Sequence, residues 1–416
     1  MYPNYLISQL ISNWLDQYLP FDIDYLPEGS YLVGGTVRDI LLKRQREYLD
    51  LDFIIPFNTI EIAQYLAKTY QTGFVVLDKE RRISRVVFPQ MTCDFAEQEG
   101  ETIEVDLQRR DFTINAIAYS LKDAKIYDPT EGIDDLVTRV IRMISVKNLK
   151  DDPLRLLRAY RQAAQLNLTI ENQTRNSLRE LAPELKKVAG ERIKSELNYI
   201  LLSLQSSYWL EMAWRDQILR DWLPSATDKK VSLLSEIDRL GELISVEFKT
   251  NIVSSIVLAK LALLLSCSLE RAEEELINLK ASRCEIRSIT VALETLNKLK
   301  DFSKPLSIKD QYFLFLESQD SFVIFCLLSL VSGYGDLEIM SLLGRYFDLT
   351  DPIAHPKALV TGRDLLAGLQ LTPGPLIGKL LTEIQIAHLE GIIQTKDESI
   401  IWARKFLKDQ GDRLES

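Results

Sequence analysis

Two aspartates at alternate positions of one short segment are the residues whose types and spacing could do chemistry. Asp50 and Asp52 lie in YLDLDFII, residues 48–55, a segment that predicts a strand. Because side chains alternate across a strand, both carboxylates face one way while Leu51 and Phe53 face the core. Adjacent carboxylates repel each other unless cations lie between them, so the pair predicts a site for hard divalent cations such as Mg²⁺. A plain surface Asp-Leu-Asp is the alternative, since short motifs also arise by chance.

The residues just before this strand predict a turn that could hold phosphate. Tyr31–Val33 predicts a short buried strand, Gly34 and Gly35 a tight turn, and Val37–Leu42 a helix. Glycine has no Cβ to keep a triphosphate away, and the free N–H groups at a helix N-terminus point towards it. Arg38 lies one turn into the helix and can reach the same phosphates. Beside a pair of metal ions, such a turn is suited to phosphoryl or nucleotidyl transfer.

Further motifs follow these two along the chain. RRDFTINAIA occupies residues 109–118, DPTEGIDDL residues 128–136 and DDPLRLLRAYR residues 151–161. Together with GGTVRD and DLD, they resemble the class II tRNA nucleotidyltransferases and bacterial poly(A) polymerases over about the first half of the chain. The resemblance implies an α+β fold, with an N-terminal polymerase-β-like nucleotidyltransferase head (a small mixed sheet with helices) followed by an all-α neck, body and tail.

The rest of the first 145 residues predicts more of the same sheet. Ile60–Tyr70 has helical periodicity, and Thr72–Leu77, Ser84–Phe88 and Met91–Phe95 predict strands. Asp94 is then at a strand edge, as either a third carboxylate of the site or a solvated side chain. Later segments predict helices almost throughout. We therefore expect a catalytic head at 1–145, a helical neck with a base-template helix at 146–205, a helical body at 206–345 and a helical, tRNA-binding tail at 346–416.

Composition bounds the class of protein. A chain of 416 residues is longer than a single hydrophobic core supports, so about two to four domains are expected. The N-terminus lacks the pattern of a secretory signal, and the apolar stretches at 253–269 and 322–331 are too short or interrupted to cross a bilayer. We expect core helices there, and a cytoplasmic protein with no membrane partner. The net charge of −10 argues against nonspecific coating of nucleic acid, whereas local basic patches could still bind it.

Cysteine and histidine usage narrows the chemistry. The cysteines lie far apart without CxxC spacing, which favours reduced thiols over a zinc site: Cys93, Cys267, Cys284 and Cys326. The chain has only two histidines, so a histidine-based metal hydrolase or a histidine general base is disfavoured. Catalysis must then rest on carboxylates, arginines and metal.

RRDFTINAIAYSL predicts a helix with Arg109 and Arg110 near its start and Asn115 one turn later. Adjacent arginines beside an aspartate commonly form nothing more than surface salt bridges. In the family, this segment borders the ribose and phosphates of the nucleotide. The resemblance carries that role to Arg110 and Asn115, and less firmly to Arg109.

The helix predicted from about residue 151 carries a stripe of charged side chains. Asp152, Arg155, Arg158 and Arg161 follow at steps of three, so neighbours share a face while the stripe winds round the helix. An Asp N-cap with solvated arginines is the plain interpretation. In the functional interpretation, Asp152 accepts from the exocyclic amine of cytosine or adenine and Arg155 donates to the ring nitrogen beside it. Uracil and guanine present a carbonyl oxygen instead, so this pair would select CTP and ATP.

Two later segments resemble further parts of the family. In AGERIKSELNYIL, residues 189–201, Glu191 would orient the arginines of the template helix; a first-turn helix charge is the alternative. Residues 360–381 resemble the tail of bacterial and cyanobacterial-type members, where a helix starting at Pro375, together with Lys379, could hold a tRNA phosphate. A plain packing corner between helices explains the same residues as well.

These motifs lead to one expected activity. We expect a nucleotidyltransferase that extends the tRNA 3′ end from CTP and ATP with Mg²⁺ and no nucleic-acid template. Asp50 and Asp52 would bind the metal and, with Arg110, act as catalytic residues. The nucleotide-binding residues would be Gly34, Gly35, Arg38, Arg109, Arg110, Asn115, Asp152, Arg155, Arg158 and Arg161. The alternatives are a poly(A) polymerase, which shares the head motifs, and a catalytically dead RNA-binding protein, which the intact aspartate pair disfavours.

The length of the connection between Phe95 and Arg109 bears on how many nucleotides of the CCA end the enzyme is expected to add. In full CCA-adding relatives, a flexible loop lies here and helps the site re-form for the final A. This chain has only AEQEGETIEVDLQ, which is acidic and too short for a long mobile lever. We therefore expect CC addition with weak or absent A addition, beside a separate A-adding enzyme that acts on the same tRNA.

Overall fold

The computed structural model describes residues 4–45, 47–299 and 306–411, and the chain divides into two units. The first unit, Met1–Asp221, contains a mixed sheet with helices, and the second, Trp222–Ser416, is helical throughout its assigned elements. The predicted α+β head followed by a helical part is therefore confirmed. The division into head, neck, body and tail is finer than these two units and stays a prediction.

Seven strands of the first unit form one mixed sheet and two others form a separate parallel pair. The strands are β1 (Tyr31–Val33), β2 (Leu49–Ile55), β3 (Gly73–Asp78), β4 (Ile83–Phe88), β5 (Met91–Glu97), β6 (Ala118–Ser120), β7 (Ile126–Tyr127), β8 (Val140–Ile141) and β9 (Thr169–Ile170). The order in the large sheet is β3-β4-β5-β2-β1-β6-β7. Among the described residues of this sheet, β2 and β5 pair in parallel and the other neighbouring strands pair antiparallel.

Strand alternation separates the core from the site. Leu51, Phe53 and Phe95 are buried, and the rings of Phe53 and Phe95 stack with centroids 5.2 Å apart. Asp50 and Asp52 alternate with these residues along β2, so their carboxylates project from the opposite face, as the sequence predicts.

Helices cover the sheet and continue beyond it. Those of the first unit are α1 (Asn4–Tyr18), α2 (Gly34–Leu41), α3 (Thr59–Tyr70), α4 (Ile103–Leu107), α5 (Gly132–Thr138), α6 (Val146–Asp151), α7 (Leu154–Leu166), α8 (Asn172–Leu181), α9 (Gly190–Leu201) and α10 (Ser206–Arg215). Asn167 ends α7 in the left-handed region, with φ of 53°. α7 packs against α9 and α10, so the predicted base-template helix lies in a helical layer beside the sheet.

The second unit is built around one buried helix. Its helices are α11 (Asp228–Ser232), α12 (Leu234–Glu247), α13 (Val253–Leu264), α14 (Leu269–Asn278), α15 (Arg283–Lys298), α16 (Ile308–Ser318), α17 (Phe322–Val331), α18 (Asp336–Phe347), α19 (Gly362–Leu369), α20 (Pro375–Leu389) and α21 (Lys396–Gly411). The run Ile308–Val331 is long and apolar enough to cross a membrane, but 67% of it is buried inside the protein. Nearly all of α17 is buried, so the core helix predicted at 322–331 is confirmed.

Two local predictions are wrong. The helix predicted from Arg109 does not form, because Thr113–Asn115 is a single 3₁₀ turn and β6 pairs with β1. Residues 111–121 are buried on every side, and such a run fits a buried strand as well as a helix. Asp94 is not at a sheet edge, because β5 lies between β4 and β2.

A buried carboxylate ties the helices of the first unit together. Asp216, 1% exposed, accepts from Tyr160 Oη at 2.8 Å, from Arg175 Nε at 2.6 Å and from Arg179 Nε at 2.6 Å. Burial would raise the pKa of Asp216, but these hydrogen bonds outweigh it and lower that pKa. The charged carboxylate of Asp216 therefore stabilises the folded protein fully at pH values above the ordinary carboxyl pKa. This stabilisation is lost as the pH falls from there through the lowered pKa of Asp216.

We predict that Asp216→Ala lowers the free energy of unfolding by about 3–5 kcal/mol, because it leaves two arginines facing a partly buried site without their partner. Urea unfolding at pH 7 measures this loss. The control is Glu211→Ala, which removes the partner of Arg215 at 2.7 Å on a more exposed surface and should cost about 1 kcal/mol or less. Equal losses in the two variants would contradict the prediction.

Candidate active site

A cleft of about 460 Å³ in the first unit gathers the residues singled out in the sequence. Nearly all of them line it: Gly34, Gly35, Arg38, Asp50, Asp52, Arg110, Asn115, Asp152, Arg155, Arg158 and Arg161. They come from the sheet, from α2, from the segment 110–115 and from residues 152–161 at and before α7, which are far apart in the chain. Arg109 is the exception. It pairs with Glu99 at 2.5 Å and lines a neighbouring cleft, so its predicted nucleotide contact is not supported by its position.

The two aspartates differ in their surroundings. Asp50 accepts a hydrogen bond from Thr92 Oγ1 at 2.5 Å, across the β2–β5 pair. Asp52 lies deeper: burial, helped by the charges of Asp94 and Asp50, raises its pKa to about 6, although the charge of Arg110 opposes this rise. No spacing in the sequence indicates a role for Thr92. Its contact with Asp50 arises from the pairing of β5 with β2, which brings the two residues opposite each other.

The donor set at this point suits a hard divalent cation. Within the described ranges, no group of three or more His, Cys, Asp or Glu side chains could hold a metal ion. Two carboxylates on one strand are nevertheless what Mg²⁺ commonly takes from a protein, since substrate phosphates and water complete its shell. Asp94, in register with Asp52, is bound by Arg85 through two hydrogen bonds of 2.6 and 2.8 Å, so it is neutralised rather than offered as a third ligand.

Gly34 and Gly35 form the first turn of α2, not a separate turn before it. Gly34 has φ of +68°, which favours glycine, and a Cβ there would lie 2.8 Å from Arg110 Nη1 and 3.7 Å from Asp52 Oδ2. A Cβ on Gly35 would lie 4.0 Å from the same Asp52 oxygen. The start of α2 therefore faces Asp52 and Arg110 with no side chain of its own in between. Thr36 fixes it there, because its Oγ1 donates to the Asp50 carbonyl at 2.8 Å.

Arg38 is almost fully buried at the side of the cleft. Its Nε donates to Asp39 at 3.0 Å and its Nη1 donates to Asn115 Oδ1 at 2.6 Å. Asn115 in turn donates to Asp111 Oδ1 at 2.8 Å. The predicted neighbours Arg38 and Asn115 therefore share one buried network, although they are 77 positions apart in the sequence.

Asp111 is a further residue of the site that the motif analysis did not single out. Burial would raise its pKa, but the charge of Arg158 and hydrogen bonds from Asn115 and Phe112 lower it to about 2. Arg158 donates to its Oδ2 at 2.8 Å. Asp111 is the third residue of the RRD triplet, so its place beside two selected arginines was the available signal. Its carboxylate stays charged at neutral pH and holds Arg158 in place.

Asp152 lies two residues before the start of α7, and Arg155 lies in the first turn of that helix. Asp152 Oδ1 accepts from Leu154 N at 3.3 Å, and its Oδ2 pairs with Arg192 at 3.0 Å. Arg155 donates to the backbone carbonyls of Arg109 and Asn148, each at 2.9 Å. Asp152 and Arg155 nevertheless both line the cleft, so capping and base reading are compatible for this pair.

Glu196, and not Glu191, is the acidic residue of α9 that holds an arginine of α7 in place. It pairs with Arg161 at 2.6 Å, and both side chains are largely buried. Glu191 lies exposed in the first turn of α9, so its predicted orienting role is wrong. The two positions are five residues apart on one helix, and a step of five does not return to the same face.

Three family models match the chain. The "Poly A polymerase head domain" matches residues 30–98 and 90–142, the "RNA and SrmB-binding site of polymerase A" matches 167–230, and "tRNA nucleotidyltransferase domain 2" matches 253–403. These matches include both units, so the likeness extends well beyond the first half of the chain.

Individual relatives agree with these models. A CC-adding tRNA nucleotidyltransferase of Synechocystis sp. is 45% identical over 406 residues, which cover 95% of this chain and 97% of the relative. A CC-adding tRNA nucleotidyltransferase of Geobacter sulfurreducens is 30% identical over 89% of this chain and 90% of its own. The structure of a Thermotoga maritima CCA-adding enzyme complexed with tRNA shares the fold, with a TM-score of 0.70 at 23% identity over 97% of this chain and 95% of that one.

We predict that Gly34→Ala lowers the free energy of unfolding by about 1–2 kcal/mol, because an L side chain is strained at a positive φ. Gly35→Ala is the matched control, since its added Cβ would meet only ordinary contacts of 3.5 and 4.0 Å. Urea unfolding of both variants measures the difference. If Gly35→Ala costs as much as Gly34→Ala, the strain at Gly34 is not the cause.

Proposed function

The chain belongs to the tRNA nucleotidyltransferase and poly(A) polymerase family, and from this premise we propose that it is an enzyme that adds C to the 3′ end of tRNA. It takes CTP as substrate and works without a nucleic-acid template. The main observation behind this proposal is that one cleft brings Asp50 and Asp52 together with the glycines at the start of α2 and the arginines of α7. The likeness to CC-adding relatives supports tRNA as the acceptor.

Asp50 and Asp52 are the proposed ligands of Mg²⁺. A divalent ion bound there would activate the 3′ hydroxyl of the RNA and neutralise the leaving pyrophosphate. The backbone N–H groups that follow Gly34 hold the triphosphate, because no Cβ blocks the approach. Arg38 and Arg110 flank this turn and complement the phosphate charge.

The nucleotide base is proposed to lie against the start of α7. Asp152 accepts from the exocyclic amine and Arg155 donates to the adjacent ring nitrogen. Arg155 is fixed by two backbone carbonyls, which orients its guanidinium before the nucleotide binds. Arg158 is held by Asp111 and Arg161 by Glu196, so both present preset donors to the cleft.

Addition is proposed to stop after CC. β5 ends at Glu97 and α4 starts at Ile103, so only residues 98–102 connect them. This connection is held down, because Glu99 N donates to Asp106 at 3.1 Å and the Glu99 side chain pairs with Arg109. A loop this short, held by these contacts, does not move between two positions as a catalytic loop must. A separate A-adding enzyme would then complete the same tRNA.

The remaining parts of the proposal concern place and partners. We propose a cytoplasmic enzyme whose tail, from about residue 346, contacts tRNA. α20 starts at Pro375, as the sequence predicts, and its first turn is exposed. Nothing specific favours poly(A) polymerase over this proposal, and the intact aspartate pair disfavours a catalytically dead protein.

We predict that Asp50→Asn and Asp52→Asn each abolish CMP incorporation into tRNA while the unfolding midpoint stays close to that of the unsubstituted protein. The loss falls on charge stabilised in the transition state, and asparagine keeps the shape of the side chain. Labelled CTP and a tRNA transcript lacking its 3′ end measure turnover. Asp78→Asn, at the end of β3 and outside the cleft, is the control and should retain full activity. Appreciable turnover in both site variants would reject the metal assignment.

We predict that Asp152→Ala relaxes discrimination against UTP more than it slows CTP use. It removes both a hydrogen bond to the amine and an acceptor that repels a carbonyl oxygen, an effect of about 1–3 kcal/mol. The kcat/KM values for CTP, ATP and UTP measure it. A proportional fall for all three nucleotides would mean that Asp152 only caps α7.

We predict strong CMP addition to tRNA that lacks CCA, and weak or absent AMP addition to tRNA that ends in CC. Single labelled nucleotides, offered to transcripts that end before the CCA, after one C and after CC, separate these steps. Addition of a known A-adding enzyme to the reaction should restore the final A. Rapid AMP addition by the purified protein alone would identify a complete CCA-adding enzyme instead.

A further inference from the structure

Gln162 is a buried polar residue on the base-reading helix that no motif includes. It follows Arg161 on α7, is only 2% exposed, and is followed by Ala163 and Ala164, which are also buried. An amide in such a place costs free energy unless its polar atoms are hydrogen-bonded. Its contacts therefore decide what it does.

The Gln162 side chain joins two residues of the site. Its Oε1 accepts from Asn115 Nδ2 at 3.0 Å and from Arg38 Nη1 at 3.5 Å. Both neighbouring atoms are donors, which fixes the orientation of the amide, since only its oxygen can accept from them. Arg38 Nη1 also donates to Asn115 Oδ1 at 2.6 Å, so the three side chains close a small triangle.

The triangle connects three separate elements of the first unit. Arg38 belongs to α2, Asn115 to the 3₁₀ turn before β6, and Gln162 to α7. Asn115 is also held by Asp111, which in turn holds Arg158. Without the acceptor at Gln162, Arg38 would keep Asp39 and Asn115 as partners but would lose this hydrogen bond to α7. The Nε2 atom of Gln162 has no hydrogen-bond partner within the described residues, so its acceptor side is the side that is used.

We propose that Gln162 is a positioning residue that sets the guanidinium of Arg38 and the amide of Asn115 for the triphosphate of the incoming nucleotide. It thereby couples the phosphate side of the cleft to the base-reading helix. This inference rests on the proposed function, because it assigns Arg38 to the triphosphate. It adds a residue that touches no substrate and acts through Arg38 and Asn115.

The test measures nucleotide binding in the absence of tRNA. Gln162→Met keeps the length of the side chain and removes both polar atoms. The Kd for CTP, in the presence of Mg²⁺, should rise roughly tenfold, the effect of one lost hydrogen bond to a charged group. The Kd for CMP should change by less than about twofold, since CMP lacks the β- and γ-phosphates of the triphosphate that Arg38 is proposed to hold. The unfolding midpoint should stay the same or rise.

Two comparisons separate positioning from a structural role. Gln162→Glu keeps an acceptor for Arg38 and Asn115, and should restore CTP binding to within about threefold of the unsubstituted protein. Gln385→Met removes another buried glutamine, on α20 of the second unit, whose Nε2 also has no described partner, and should leave the Kd for CTP unchanged. The double variant Asn115→Ala, Gln162→Met should weaken CTP binding by less than the product of the two single effects, because both act on the same triangle.

Equal weakening of CTP and CMP binding by Gln162→Met, independent effects in the double variant, or a CTP Kd within about twofold of the unsubstituted value would each overturn the proposal. Failure of the proposed function gives a different result: the unsubstituted protein would transfer no CMP to tRNA. The comparison of the Kd values for CTP and CMP would still test the role of Gln162.

Discussion

Electrostatic balance inside a small cleft is the constraint on which the rest of the site depends. Six arginines line the cleft, and bringing so many cations together is unfavourable without nearby anions. The protein supplies buried carboxylates behind them: Asp39 for Arg38, Asp111 for Arg158 and Glu196 for Arg161. Each guanidinium is therefore fixed in place before any ligand arrives. A polyanionic substrate meets preset donors, and little rearrangement opposes its binding.

The two aspartates, in contrast to the arginines, are not each matched by an oppositely charged partner. Asp50 and Asp52 are left close together, and the third carboxylate nearby, Asp94, is paired with Arg85 but still adds to the negative charge around Asp52. Burial and the neighbouring negative charges raise the pKa of Asp52 to about 6. Beside the first turn of α2, the aspartate pair is therefore short of positive charge despite the nearby Arg110. A cation and a triphosphate bound together would satisfy that deficit, which is why the two halves of the cleft form one functional unit.

Secondary structure sets the precision of this arrangement. Asp52 is opposite Val33 in the β1–β2 pair, so the strand register itself delivers the carboxylate to the residue that precedes Gly34. Thr36 then joins α2 back to β2 through the Asp50 carbonyl. On the other wall, Asp152 lies just before α7, Arg155, Arg158 and Arg161 lie along that helix, and Gln162 connects it to Arg38. Sites built on strands and helices hold their geometry better than sites built on loops.

The sequence by itself determined the α+β class, the strand that carries Asp50 and Asp52, the glycine start of α2 and the charged stripe of α7, because each follows from local periodicity and short-range spacing. Only the tertiary structure decided which charged groups meet. Glu196 and not Glu191 holds Arg161, Arg109 turns away to Glu99, and Asp94 is neutralised within the sheet. The segment after Arg110 became a turn and a strand because β1 offered a pairing edge, which local sequence does not reveal. Long-range pairing and the cancellation of buried charge depend on neighbours distant in the chain, and no local pattern contains them.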